Sequence, residues 1–461
     1  MPVPSEVSEL KTKTRDMTHG EPARLILLFL LPILAGNILQ EFYSLVDSYI
    51  IGQINGITAL SAVSTSGWLD WLVLSISLGL TQGFSIQGAQ DFGAGKKEAL
   101  KRTVGQSILV AAGSVVLIEA GAQLLLRPVV TLMQTPEEIF ELEILYLRII
   151  FAGTPLVMIV NFLSGFLRSV GNSRTPLIAM IFSTLTNAAL DLIFVGLFRW
   201  GVAGAALATV IAQGVSCIVC FIAILHLPLL HPTKRDLIPD LPVLRKLIRT
   251  CSPLVLGNIV ISIGGLVLQT VVNGFGYLFS AGYNTAGRLQ GPIEIAGVAI
   301  SSASGTFIAQ NYGANNLARV REGFRKSLYI IIAACILIMT VIFVFGEHIL
   351  LQFLRDDPAV VDQVLRYASR FLKVIGMGLP FLYLLFLYRS ALQGLGDTFI
   401  PMLSGFLELI VRIICALLLP RLFGMNGVFY TEILAWGSAA LLLIVGYYRR
   451  MHRLSADKRL K

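Results

Sequence analysis

Charge is what this sequence has least of. Asp, Glu, Lys and Arg make up only 14% of its 461 residues, where a soluble chain carries about a quarter. That shortage excludes a large water-facing surface, and with it the two or three soluble domains that the length alone would suggest. Histidine and cysteine are scarce as well, at five each. His19, His226, His231, His348 and His452 fall in predicted loops or at predicted span ends, so no histidine-based metal or catalytic cluster is expected. Cys217 and Cys220 form a single CxxC, but inside a predicted span, where core packing accounts for them better than redox or metal chemistry. No nucleophile–base pair, phosphate-binding loop or metal-ligand spacing occurs, so neither an enzyme nor a resident cofactor is expected.

Apolar residues are plentiful instead: 55% of the chain, with a mean hydropathy of +0.77. Runs long enough to cross a bilayer, roughly 20 residues each, recur from end to end. They predict an all-α polytopic membrane protein with twelve spans, near 25–51, 58–88, 104–126, 141–168, 176–197, 202–226, 252–276, 282–308, 327–347, 366–392, 399–420 and 426–448. The first run is too long for the apolar core of a cleavable signal peptide and follows a polar arm (residues 1–24) with Lys11, Lys13 and Arg15. The net charge of +9 is gathered in "AGKKEALKR", "KRDLIPDLPVLRKLIR", "ARVREGFRK" and the basic tail 449–461. By the positive-inside rule these segments and both termini are expected to be cytoplasmic, in a plasma (inner) membrane. Arg366, Arg370 and Lys373 run against the rule, with Asp356, Asp357 and Asp362 beside them. The charge therefore reports topology, and no nucleic-acid partner is expected.

The chain repeats itself once. "LPILAGNILQEFYSLVDSYIIG" near residue 31 resembles "SPLVLGNIVISIGGLVLQTVVNG" near 252, aligning Pro32 with Pro253, Gly36 with Gly257 and Asn37 with Asn258. "GAQDFGAGKKEALKR" matches "IAQNYGANNLARVRE", "FLRSVGNSRTPLI" matches "ALQGLGDTFIPML", and "RWGVAGAALATVIAQG" matches "LFGMNGVFYTEILAWG". Each copy holds six spans, an even number, so both have the same orientation and should be related by an axis along the membrane normal. The expected plan is a six-helix bundle at 25–226, a basic linker at 227–251 and a second six-helix bundle at 252–448. Two pseudo-symmetric bundles fit an alternating-access transporter.

A few polar residues stand within the spans. Asp47 follows Pro32, where a missing backbone hydrogen bond favours a helix kink. Asn187 and Asp191 are i and i+4, on one helix face. Thr209 follows Gly201 and Gly204, which permit close helix approach. If these spans pack together, two carboxylates, an amide and a hydroxyl converge into an oxygen-rich site for Na⁺ or H⁺. Intramembrane carboxylates are rare and mark function. At the matching positions the second copy carries Leu268, Arg412, Ala416 and Glu432. An ion pair of Arg412 with Glu432 is therefore expected, with Glu408 as a further partner, and the ion site is assigned to the first half alone. Weaker cavity candidates are Gln40, Glu41, Tyr43, Asn161, Asn284, Arg288, Glu294 and Arg389, while Asp70 and Glu119 are expected near span ends.

These blocks, together with "NAALDLIF" and "AQDFGAG", resemble the multidrug and toxic compound extrusion (MATE) family, in its bacterial DinF-like branch, over nearly the whole chain. The resemblance implies a V-shaped pair of bundles and efflux of small organic cations in antiport with H⁺ or Na⁺. It implies a cation site at Asp47, Asn187, Asp191 and Thr209, a first helix that bends at Pro32, and a cavity lined by Gln40, Tyr43 and Asn161. Another branch carries acids in spans 7 and 10, where this chain has Ile261 and Leu382. Partners beyond organic cations and the bilayer are not required, and a monomer suffices. A rival reading is a flippase for lipid-linked or other amphipathic substrates, for which Arg288 and Arg389 are the candidate residues. A channel or receptor is the third, disfavoured by the two-bundle plan and the first span's proline.

Overall fold

The computed structural model describes residues 14–133, 135–354 and 358–459. Lys11, Lys13, Asp356, Asp357 and the last two residues of the basic tail lie outside the described residues. Among the described residues the chain forms fourteen helices: α1 Pro22–Gly56, α2 Thr58–Gly93, α3 Lys97–Leu132, α4 Glu137–Ala152, α5 Thr154–Ser169, α6 Arg174–Asp191, α7 Gly201–Leu225, α8 Leu241–Asn273, α9 Tyr277–Gly287, α10 Gln290–Gly313, α11 Leu317–Leu351, α12 Pro358–Gly394, α13 Phe399–Phe423 and α14 Thr431–Arg459. Eleven segments of this set are long and apolar enough to cross a bilayer, and α4 with α5, bent by 44° at Gly153, complete a twelfth. The protein is a polytopic helical membrane protein.

Proline and glycine place the breaks. Between α1 and α2 the chain turns at Gly56, whose φ of 81° is open to glycine without strain. Pro155 sits in the first turn of α5, where its missing N–H removes no helical bond. At Pro32, by contrast, α1 continues without a non-helical residue. The segment 227–251 is two 3₁₀ turns, Pro228–Leu230 and Lys234–Leu237, followed by the start of α8. Gln106 of α3 fastens it, donating to the carbonyls of Asp236 (2.7 Å) and Ile238 (2.8 Å) and accepting from the Asp240 N–H at 2.9 Å.

The chain divides into two compact units. Unit 1 comprises the described residues up to His19 together with Leu31–Val255, and unit 2 comprises Gly20–Leu30 and the described residues from Leu256 onward. In unit 1, α7 is the central packing element, against α4, α5 and α6. Its largest apolar core joins Phe84, Leu100, Val104, Phe162, Phe166 and Cys220. Cys220 lies 3.5 Å from the Ser164 hydroxyl, as a packed thiol. In unit 2, α12 takes the central place, against α9, α10, α11 and α14, while α13 packs on α14. The Tyr383 hydroxyl of α12 donates to the Ile293 carbonyl at 2.7 Å, and a Cβ at Gly297 would come within 2.9 Å of the Tyr383 ring, so small residues set the α10–α12 spacing.

Candidate functional site

The buried stripe of α6 is Ala179, Ser183, Asn187 and Asp191, each four residues from the last. That spacing keeps one face of the helix against α7. Two hydroxyls lock the register: Ser183 donates to the Ala212 carbonyl at 2.8 Å, and Ser216 donates to the Ala179 carbonyl at 3.0 Å. Immediately after Asp191 the backbone widens into a π-helical turn, Leu192–Leu197. Its closing bond runs from the Phe198 N–H to the Ile193 carbonyl (2.8 Å), and the Phe194 and Trp200 rings stack 5.0 Å apart beneath it. Such bulges displace one residue from the regular helix and recur at functional sites. A Cβ at Gly204 would come within 3.1 Å of the Phe194 backbone, so α7 approaches the bulge closely.

Five polar side chains meet in unit 1. Tyr43 and Asp47 come from α1, Asn187 and Asp191 from α6, and Thr209 from α7. The Thr209 hydroxyl is the hub: Tyr43 Oη lies 3.0 Å away and the Asn187 amide donates to it at 3.5 Å. Asp191 is 0% exposed and Asp47 8%. The two carboxyls act on each other directly. Apart from this mutual interaction, neither oxygen of Asp191, nor Oδ1 of Asp47, has a hydrogen-bond partner among the described residues. A buried carboxylate without partners is costly, and native structures leave few such groups. The arrangement is suited to a bound cation or proton.

Two further residues belong to this cluster. Tyr146 of α4 packs against the core of Ile50, Ile51, Val195 and Val202, and Asp47, Asp70, Tyr43 and Asp191 all act on its hydroxyl electrostatically. In the sequence it stands within "ELEILYLRIIFAG" as one apolar position among many. Asp70 was expected near a span end. It lies about three turns into α2, and its charge reaches both Tyr43 and Tyr146. Gln40 is exposed and Asn161 half-buried, and among the described residues neither makes a side-chain hydrogen bond.

At the equivalent place in unit 2 the buried stripe of α13 is Ser404, Glu408, Arg412 and Ala416. Arg412 donates to Glu408 at 2.8 Å and to Glu432 at 2.9 Å, and Arg389 donates to Glu408 at 3.2 Å. Glu294 accepts from Gln290 at 2.8 Å, and Asn284 from Gln269 at 3.2 Å. Two cations and two anions thus neutralise one another inside unit 2.

Comparison with known proteins agrees with this architecture. The sequence profile of the MatE family matches residues 32–193 and 253–418, one stretch in each repeat. The chain is 28% identical over 387 residues to the "Probable multidrug resistance protein YpnP" of Bacillus subtilis, covering 83% of this chain and 85% of that protein. It is 25% identical over 445 residues to the multidrug export protein MepA of Staphylococcus saprophyticus, covering 93% and 94%. Among solved structures it superposes with a TM-score of 0.90, at 20% identity, on a MOP-superfamily transporter from Pyrococcus furiosus, covering 95% and 98%. That transporter is described as having a binding pocket of reverse polarity that suggests a different function.

Proposed function

Because this chain belongs to the multidrug and toxic compound extrusion (MATE) family of membrane transporters, we propose that it exports organic cations by alternating access in antiport with H⁺ or Na⁺. The coupling site in this reading is Asp47, Asn187, Asp191 and Thr209. One observation carries it: two neighbouring carboxylates, buried in unit 1, with no basic partner among the described residues and with both Asp191 oxygens and Asp47 Oδ1 free of any hydrogen-bond donor there.

Ionised, the pair attracts an organic cation through its field. When H⁺ or Na⁺ occupies the pair, that attraction is cancelled and α1 is free to bend at Pro32, so the organic cation leaves. Release of the ion on the other side restores the charge. A ligand shifts such an equilibrium only by its difference in affinity between states, and neutralising a buried acid supplies such a difference. Thr209 and Asn187 contribute oxygens for Na⁺, or hold the hydroxyl network that orients the acids for H⁺.

The test is uptake of a fluorescent organic cation by proteoliposomes under a Na⁺ gradient and a pH gradient, imposed separately. Transport driven by one gradient identifies the ion. Failure of both, across several cations, refutes the reading and favours a lipid-linked or other amphipathic substrate. Against that rival, Arg389, one of its two candidate residues, is paired with Glu408.

A further inference from the structure

Unit 1 holds another carboxylate that the coupling site does not use. Glu143, on α4, is 0% exposed, and among the described residues neither of its oxygens has a hydrogen-bond partner. Its neighbours along the helix, Ile139, Ile144, Leu147 and Ile150, are buried and apolar. Thr135, just ahead of α4, interacts directly with Glu143, but no bond of hydrogen-bond geometry joins the two. Of the basic groups at this end, Arg127 of α3 pairs with Glu141 and lies 5.6 Å from the Phe140 ring centre, and Arg148 of α4 is exposed. Gln123 donates to Glu119 and to the Arg148 carbonyl, both at 3.0 Å. Among the described residues no ion pair and no well-formed hydrogen bond therefore accounts for Glu143, although buried carboxyls are nearly always satisfied.

Its position suggests a use. At 1.5 Å per residue, Glu143 lies about 9 Å along the axis from the first residue of α4, close to the α3–α4 connection. Tyr146 is three residues further on and shares its helix face. The Tyr146 hydroxyl in turn feels the charges of Asp47 and Asp191. Thr135, Glu143 and Tyr146 thus follow one another in this order from the end of the unit, and the last of them lies within electrostatic reach of the acid pair.

We infer that Glu143 is the first group on the coupling cation's path: it takes up H⁺ or Na⁺ near the α3–α4 end of unit 1 and passes it by Tyr146 to Asp47 and Asp191. This rests on the antiport reading above. For a proton, the Glu143 carboxylate takes H⁺ from hydronium and leaves water. The carboxylic acid then gives that proton to the Tyr146 oxygen as the phenol gives its own to the acid pair, which restores both carriers. For Na⁺, the Glu143 oxygens and the Thr135 hydroxyl form a transient coordination site before the ion moves on.

The experiment measures initial rates of tetraphenylphosphonium transport in proteoliposomes against the concentration of the driving cation, in separate Na⁺ and pH series. Wild type, Glu143→Gln, Glu143→Asp, Tyr146→Phe and Asp191→Asn are compared, with thermal unfolding of each in detergent. Glu143→Gln should raise the half-saturating cation concentration about tenfold, equivalent to roughly 1.4 kcal/mol, without lowering the maximal rate. Its melting temperature should equal or exceed that of wild type, because an unpaired buried charge is removed, and Glu143→Asp should restore half-saturation. The series that shows the shift distinguishes H⁺ from Na⁺. An unchanged half-saturating concentration in Glu143→Gln, with ion-driven transport lost in Asp191→Asn, overturns the path and leaves the antiport reading standing. A lower maximal rate with a lower melting temperature overturns it in favour of a structural role. Ion-driven transport retained by Asp191→Asn refutes the antiport reading, and this inference with it.

Discussion

The two units place polar residues on the same helical stripes and treat them differently. On α6 the stripe ends in Asn187 and Asp191; on α13 the matching residues are Arg412 and Ala416. Asn187 meets Thr209 across the α6–α7 contact, and Arg412 meets Glu432 across the α13–α14 contact. Where unit 1 has Asp47, unit 2 has the buried Leu268. In unit 2, Arg389, Arg412, Glu408 and Glu432 are paired among themselves, whereas in unit 1 two acids adjoin with no basic side chain paired to them among the described residues. Removing one partner of a buried ion pair is costly, whereas the intact pair contributes little net stability. One scaffold thus carries buried charge as paired ions in one copy and as two neighbouring acids in the other.

The largest effect on this contrast is expected from Asp191→Asn, which should reduce ion-driven export of an organic cation to the level of protein-free vesicles. Its melting temperature should rise at the same time, since a strained functional charge is exchanged for a neutral amide. Arg412→Met should do the reverse in unit 2. It strands Glu432 and leaves Glu408 to Arg389 alone, costs about 3–5 kcal/mol, and appears as a large drop in melting temperature by fluorescence-monitored unfolding. Leu268→Asp would place an acid where unit 1 has Asp47. It should destabilise the protein by about 2–5 kcal/mol, as for loss of a core leucine, and should not create a second coupling site, which ion-to-substrate stoichiometry would read. Tyr43→Phe is the mildest: losing the 3.0 Å contact with Thr209 should cost about 1 kcal/mol, and half-saturation for the coupling ion should shift by no more than about tenfold.

Much of this was legible in the sequence because hydropathy and repetition are long-range signals. Twelve apolar runs predict twelve spans, and the register of the two copies pairs Arg412 with Glu432 just as it pairs Asn187 with Thr209. What was not legible depends on local backbone geometry or on contacts between distant helices. The 44° bend at Gly153 follows from a Gly-Thr-Pro sequence that also fits an unbroken helix. The π turn after Asp191 has no motif of its own in "LIFVGL". Asp70 reads as a span-end acid beside Trp68 and Trp71, yet its charge reaches the tyrosines of α1 and α4. Glu143 is surrounded in the sequence by Glu137, Glu138 and Glu141, all of them exposed, and nothing in the residue pattern marks it as the buried member of that group.

In the proposed mechanism the coupling ion and the organic cation compete for the charge on Asp47 and Asp191. The most direct measurement is displacement of bound H⁺ or radiolabelled Na⁺ from the purified protein on addition of tetraphenylphosphonium, in wild type and Asp191→Asn side by side. The account predicts release of the ion from wild type and none from the variant. Equal release from both would contradict it and place the coupling charge elsewhere in the molecule.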